Sequence, residues 1–307
     1  MDKENQIEEI EPREGYIEVP DARLHYLDWD TSGIPTHFLH ANGFCAGTYS
    51  PFLNQLISDL HIIASDVRGH GDSVSTKPVS IRNWEIFAND LIAVIKGTFP
   101  GKKIIGIGHS LGAVTTYFAA AIAPELFAGI VLIDPVILPP RILWMIRILR
   151  LFGMNHRLPL VMAARRRRKV FEGKIEAIKR FTAGRGIFKT WSTEFITAYL
   201  ECGLLEKDEK TAVLKCDPEL EAQIFESVPT NVWHYTSKIT CPVLAIRGES
   251  SDTFLSDAAE RLTARISNYT LVTIPNSGHF IPMEKPIECA KPILDFISDL
   301  QLYLPSL

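Results

Sequence analysis

Lys102-Lys103-Ile104-Ile105-Gly106-Ile107-Gly108-His109-Ser110-Leu111-Gly112-Ala113 joins an apolar run to an Ala-rich helical pattern through G-x-S-x-G. In that setting the two glycines have a mechanical task. A serine on a sharp strand-to-helix turn sits in strained backbone, and side chains at Gly108 and Gly112 would collide with the neighbouring strand and helix. The turn lifts the Ser110 hydroxyl clear of its surroundings. It also leaves the N–H of Leu111 unpaired at a helix N-terminus, facing whatever anion forms beside Ser110. Roughly one chain in ten of this length carries the pattern by accident, so the rest of the chain has to support it.

Upstream, Tyr16–Val19 and Leu24–Trp29 read as strands on either side of a Pro20-Asp21 turn. Thr36–His40 and Ile62–Asp66 are further short strands, and Trp84–Phe99 is a helical pattern ahead of the strand that ends at Ser110. Past the serine, Ala113–Phe127 reads as a helix and Gly129–Asp134 as a buried strand closed by Pro135. Pro242–Ile246 and Tyr269–Ile274 are strands followed by helices from about Asp257 and Ile287. Strands alternating with helices imply parallel crossovers, hence an α/β sheet covered on both faces. The series is interrupted at residues 136–238, where helical patterns dominate. The expectation is an all-helical cap or lid over the carboxyl edge of the sheet, its first helix carrying Ile142, Met145, Ile146 and Leu149 on one face. This divides the chain into a flexible tail (1–15), a core (16–135 and 239–307) and a cap (136–238).

The 307 residues, 46% hydrophobic and 22% charged, suffice for a sizeable core. A net charge of -4 argues against nucleic-acid binding. Five scattered cysteines without C-x-x-C spacing read as reduced thiols of a cytoplasmic protein. The polar N-terminus has no apolar h-region, and no apolar run is long enough to span a bilayer.

The residues carry a resemblance. Leu39-His40-Ala41-Asn42-Gly43-Phe44 resembles the oxyanion turn of the α/β-hydrolases, Asp66-Val67-Arg68-Gly69-His70-Gly71-Asp72-Ser73 their D-x-R-G-x-G-x-S segment, and Gly108–Gly112 their nucleophile elbow. Ile246–Asp252 and Gly278–Pro286 resemble the segments bearing the acid and the histidine. The resemblance implies a cofactor-free serine hydrolase with a helical cap. Ala41 departs from the usual Gly of the first turn, leaving open which N–H completes the oxyanion hole.

Chemistry assigns roles beside the resemblance. A serine hydroxyl needs a base with a pKa near the working pH, usually histidine. Of nine histidines, His279 follows a strand in a loop opened by Gly278, on the same edge as Ser110; His40, His70 and His109 read as structural. The histidine needs an anion to fix its tautomer. Asp252 is the choice, in the loop after Val243–Ile246 and in the order Ser, Asp, His; Asp134 is the runner-up, and Asp257 reads as a helix cap. The expected oxyanion donors are the N–H groups of Leu111 and Asn42, with Phe44 as the alternative. Serine at position 110 favours acyl transfer, and the expected substrate is a small lipophilic carboxylic ester. Thioester or C–C bond hydrolysis would use the same residues; a hydrolase-like small-molecule receptor, or an interaction protein acting through the cap, are different classes. No metal-ligand cluster, phosphate loop or dinucleotide fingerprint appears in the sequence, so no cofactor is expected. Arg147, Arg150, Arg157 and Arg165-Arg166-Arg167-Arg168-Lys169 lie in a stretch without acids, which would let the cap contact an anionic membrane.

Overall fold

The computed structural model describes residues 11–77 and 79–303. The first ten residues of the expected tail lie outside that range, and the rest of it is partly strand. β1 (Arg13–Val19) and β2 (Ala22–Asp28) form a hairpin whose two-residue turn puts Asp21 at φ 63°. Then come β3 (Ile34–Leu39), a 3₁₀ turn at Ala46–Tyr49, α1 (Ser50–Leu53), β4 (Leu60–Ser65) and β5 (Val74–Ser75). α2 (Glu85–Thr98), β6 (Ile104–His109), α3 (Leu111–Ile122) and β7 (Phe127–Ile133) complete the first half.

The nine strands of the main sheet run in the order β1-β2-β4-β3-β6-β7, followed by β11 (Val243–Gly248) and β12 (Tyr269–Ile274), with β5 against β2. The pairs from β4 through β12 are parallel and those of β2 antiparallel. β6 and β7 are buried at every residue. Burial on both faces is why their sequences are continuous apolar runs without alternation. The serine strand β6 sits mid-sheet, and its neighbour β7 lies beside β11, with Ile133 opposite Ile246. Three strand ends therefore converge on one edge.

Between β7 and β11 the chain makes α4 (Pro140–Leu151), α5 (Pro159–Arg165), β8 (Val170–Phe171), α6 (Gly173–Phe181), α7 (Thr193–Gly203), β9 (Leu204–Asp208), β10 (Thr211–Leu214) and α8 (Pro218–Glu226). The insertion is thus not all-helical: β8, β10 and β9 form a small antiparallel sheet. These strands are short, and four of the five β9 residues are exposed and mostly charged, so no strand periodicity marks them. They pair because Phe171, Ala212 and Leu214 pack into the same apolar cluster as Phe181, Phe195 and Tyr199 from α6 and α7. That cluster runs without a break into the sheet residues Phe38, Ile105 and Val131. On α4 the buried residues are Leu143 and Ile146, while Met145 is 49% exposed and Trp144 66%. The apolar face expected at Ile142, Met145, Ile146 and Leu149 is rotated, with Met145 turned outward. After β11 come α9 (Ser256–Thr263) and, past β12, α10 (Ile281–Glu284) and α11 (Pro286–Tyr303).

Candidate active site

Ser110 sits between β6 and α3 at φ 56° and ψ -111°, a left-handed conformation that costs a non-glycine residue about 1–3 kcal/mol and persists where the surroundings enforce it. They do so here. A Cβ on Gly108 would lie 2.3 Å from the Gly112 carbonyl oxygen, and one on Gly112 would lie 2.1 Å from that of Leu39. The glycines let helix and strand close on the turn, which leaves Ser110 7% exposed.

His279 Nε2 lies 2.9 Å from Ser110 Oγ, and its Nδ1 lies 2.6 Å from a carboxylate oxygen of Asp134. The residue at the expected acid position, Asp252, is not there. It is exposed, and its carboxylate accepts from Thr253 Oγ1 at 3.2 Å. The loop after β11 instead contributes Ser251, whose hydroxyl donates to Asp134 Oδ2, and the Gly248 N–H, which donates to Asp134 Oδ1 at 3.1 Å. The cause is topological: β7 and β11 are adjacent and parallel, so a residue at the end of either reaches the same space. Asp134 takes it at φ 40° and is completely buried. Asp257 does not cap α9; it lies in the first turn and pairs with Arg141 at 3.0 Å.

The amides of the first turn are largely engaged. Ala41 N–H donates to Tyr49 Oη at 3.2 Å, Gly43 N–H to His70 Nε2 at 3.1 Å and Phe44 N–H to the Ala41 carbonyl at 3.3 Å. Among the described residues, the N–H groups of Asn42 and Leu111 meet no acceptor. Two free donors thus remain near the elbow, and Phe44 is not one of them. His40 likewise accepts a backbone N–H, from Val67 at 2.9 Å. The Asp66 segment is scaffolding: Asp66 accepts from the Ala46 and Asp72 amides and meets His25 at 2.8 Å, while Arg68 grips Asp90 with two bonds of 2.9 and 2.7 Å.

One connection had no warning in the residue pattern. His109 Nε2 lies 2.9 Å from the His279 carbonyl, which can only accept, so this nitrogen carries the proton. Burial holds His109 well below the ordinary histidine range, so Nδ1 is bare. It accepts from Tyr49 Oη at 2.7 Å, and Tyr49 in turn accepts from Ala41. A directed chain therefore runs from the oxyanion turn through Tyr49 and His109 to the backbone of His279. Strand geometry correctly turns the His109 ring away from Ser110, but Tyr49 lies in the 3₁₀ turn, where no periodicity points inward.

The insertion roofs this edge with aromatic rings. Trp191 packs on Phe44 at 5.5 Å and on Phe280 at 5.8 Å between ring centroids, and Tyr199 meets Phe44 at 5.6 Å. The basic run is mostly neutralised within the insertion. Arg165 bonds Glu219 and Glu226, Arg167 bonds Glu221, Arg168 bonds Glu176, and Lys169 bonds Asp217. Arg147 and Arg150 donate to carbonyls of residues 226–230. Among the described residues Arg157 and Arg166 have no carboxylate partner. No helix of the described residues is long and apolar enough to cross a membrane.

Comparison with known proteins agrees with this fold. The chain is 29% identical over 261 residues to 2-(acetamidomethylene)succinate hydrolase of Mesorhizobium japonicum, covering 85% of this chain and 86% of that one. It is 31% identical over 117 residues to monoglyceride lipase of Homo sapiens, covering 36% and 38% of the two. The crystal structure of E-2-(acetamidomethylene)succinate hydrolase superposes with a TM-score of 0.76 at 22% identity, over 94% of this chain and 99% of that one. Residues 38–291 match the profile of the alpha/beta hydrolase family. With that span covering most of the sequence, the chain belongs to the α/β-hydrolase family of hydrolytic enzymes.

Proposed function

We propose that the protein is a serine hydrolase that cleaves a carboxylic ester of a small lipophilic substrate through an acyl-enzyme on Ser110. The observation that carries this is the unbroken hydrogen-bond line Asp134–His279–Ser110 on a strained elbow. Ser110 Oγ attacks the acyl carbonyl as its proton passes to His279 Nε2. Asp134, held by Ser251 and Gly248, fixes the Nδ1–H tautomer and stabilises the imidazolium. The N–H groups of Leu111 and Asn42 receive the oxyanion, and the dipole of α3 adds to their field. His279 returns the proton to the leaving alcohol; water then repeats the sequence and releases the acid. The Tyr49–His109 relay holds the oxyanion turn and the base in register. Trp191, Phe44, Tyr199 and Phe280 supply an aromatic lining suited to an apolar acyl or alcohol group, and residues 136–238 act as the lid.

The purified protein should be labelled by a fluorophosphonate probe at Ser110 and should turn over a panel of esters graded in acyl length, with Ser110→Ala losing both. Absence of labelling in the wild type would refute the nucleophile, and ligand binding with labelling but no turnover would favour a receptor. Thioesters and β-diketones in the same panel distinguish the sister reactions that share the triad.

We further propose that the cap contacts an anionic membrane through the outer edge of α4 and α5 and not through the basic run. Leu151, Phe152 and Leu160 are 82%, 70% and 61% exposed there, next to unpaired Arg157. Exposed apolar area beside cations suits an anionic bilayer surface. The free thiols fit a cytoplasmic location.

A further inference from the structure

Cys45 ends the oxyanion turn and is buried; Cys202 lies in the last turn of α7, in the cap, and is partly exposed. The two thiols are 157 residues apart in sequence and their sulfurs lie 2.8 Å apart. A bonded pair sits at about 2.05 Å, so the gap to a covalent bond is smaller than a bond length. The surroundings fix both side chains: Thr48 Oγ1 is 3.3 Å from the Cys45 sulfur, and the Cys202 thiol donates to the Ala198 carbonyl at 2.7 Å. Lys215 of the cap bonds Asp72 of the core at 2.6 Å across the same seam. A cavity of about 10 Å³, the size for a single water, opens beside Gly203 and Lys215 in the same seam.

We infer that Cys45 and Cys202 are a modification site for hydroperoxides, closed by oxidation into a disulfide that fastens the cap to the oxyanion turn. The Cys202 thiolate attacks the peroxide oxygen, giving a sulfenic acid and, with one proton, water. The Cys45 sulfur then attacks the sulfenic sulfur and expels hydroxide, which takes the Cys45 proton as a second water. Two thiols and one hydrogen peroxide yield one disulfide and two waters. Cys202, the partly exposed partner, reacts first, because burial screens Cys45 and pushes its thiol well above the ordinary range. The bond acts on the site through α7: one turn before Cys202, Tyr199 packs on Phe44. Fastening this helix to the 3₁₀ turn after Phe44 restrains the cap from lifting to admit substrate or release product.

Only the activity part of this inference rests on the proposed esterase function. Full-length protein is treated with hydrogen peroxide at low molar excess and digested without reductant. A peptide pair linked through Cys45 and Cys202 is expected, lighter by two hydrogens. Amide hydrogen exchange over residues 193–203 should slow, and ester turnover should fall severalfold and recover with dithiothreitol. Cys202→Ser should keep its basal turnover and show none of these responses. Absence of the linked pair, with Cys202 free or converted to sulfinic acid, overturns the site. A linked pair with unchanged exchange over α7 overturns the tether. Linkage and exchange are read without substrate, so loss of the esterase reading leaves both measurements decisive.

Discussion

The sheet and the cap are stabilised by different kinds of contact. In the sheet, parallel strands buried on both faces put the catalytic candidates at strand ends, where position follows from strand order alone. The cap builds its shape from short helices, a small sheet and ion pairs between segments about fifty residues apart, as with Arg165 to Glu219 and Arg167 to Glu221. Its basic run is therefore largely an internal structural device. Charge composition says little about surface field when the partner acids lie on another helix.

The largest effect is expected at the acid. Asp134→Asn should lower turnover by roughly 10⁴-fold, as in triads where the amide supports the wrong tautomer, while Asp252→Asn should leave it within about twofold, as suits an exposed side chain. Steady-state kinetics on both variants decides it; the opposite order would mean that the strand-end geometry misplaces the acid.

Tyr49→Phe tests whether the relay is part of the site or only of the core. Removing the hydroxyl leaves the Ala41 N–H and His109 Nδ1 without a partner at unchanged ring volume. The expected fall in kcat is on the order of ten- to a hundredfold, with KM little changed, below the loss of a direct oxyanion donor. His109→Gln keeps a donor for the His279 carbonyl and should retain more activity than His109→Phe. Lowered stability with undiminished kcat in Tyr49→Phe would reduce the relay to packing.

The smallest effect belongs to the cap surface. Sedimentation with anionic vesicles at low salt should carry down part of the protein, and Phe152→Ser together with Leu151→Ser should abolish it. Replacing Arg165, which is already paired, should change it little. Dependence on Arg165 with no dependence on Phe152 would restore the basic run as the contact.

The two regions also differ in how far they were legible. The α/β architecture, the elbow and the Ser110–His279 pairing follow from apolar runs and glycine spacing, because burial on two faces and a strained turn leave strong residue signatures. The acid did not follow, since Asp134 directly after β7 and Asp252 in the loop after the adjacent β11 approach the same edge, and only the contact of Asp134 with His279 separates them. Within the cap, exposed β9 has no alternation to read, and the outward face of α4 depends on what packs against it.

The ion pairs of the cap have a consequence in time. Arg165, Arg167 and Lys169 leave the ribosome 48 to 61 residues ahead of Asp217, Glu219, Glu221 and Glu226. At about 5–20 residues per second, these three cations therefore wait several seconds for the acids that pair with them in the folded cap. The emergence of α8 ends the wait by drawing the arginines into the cap.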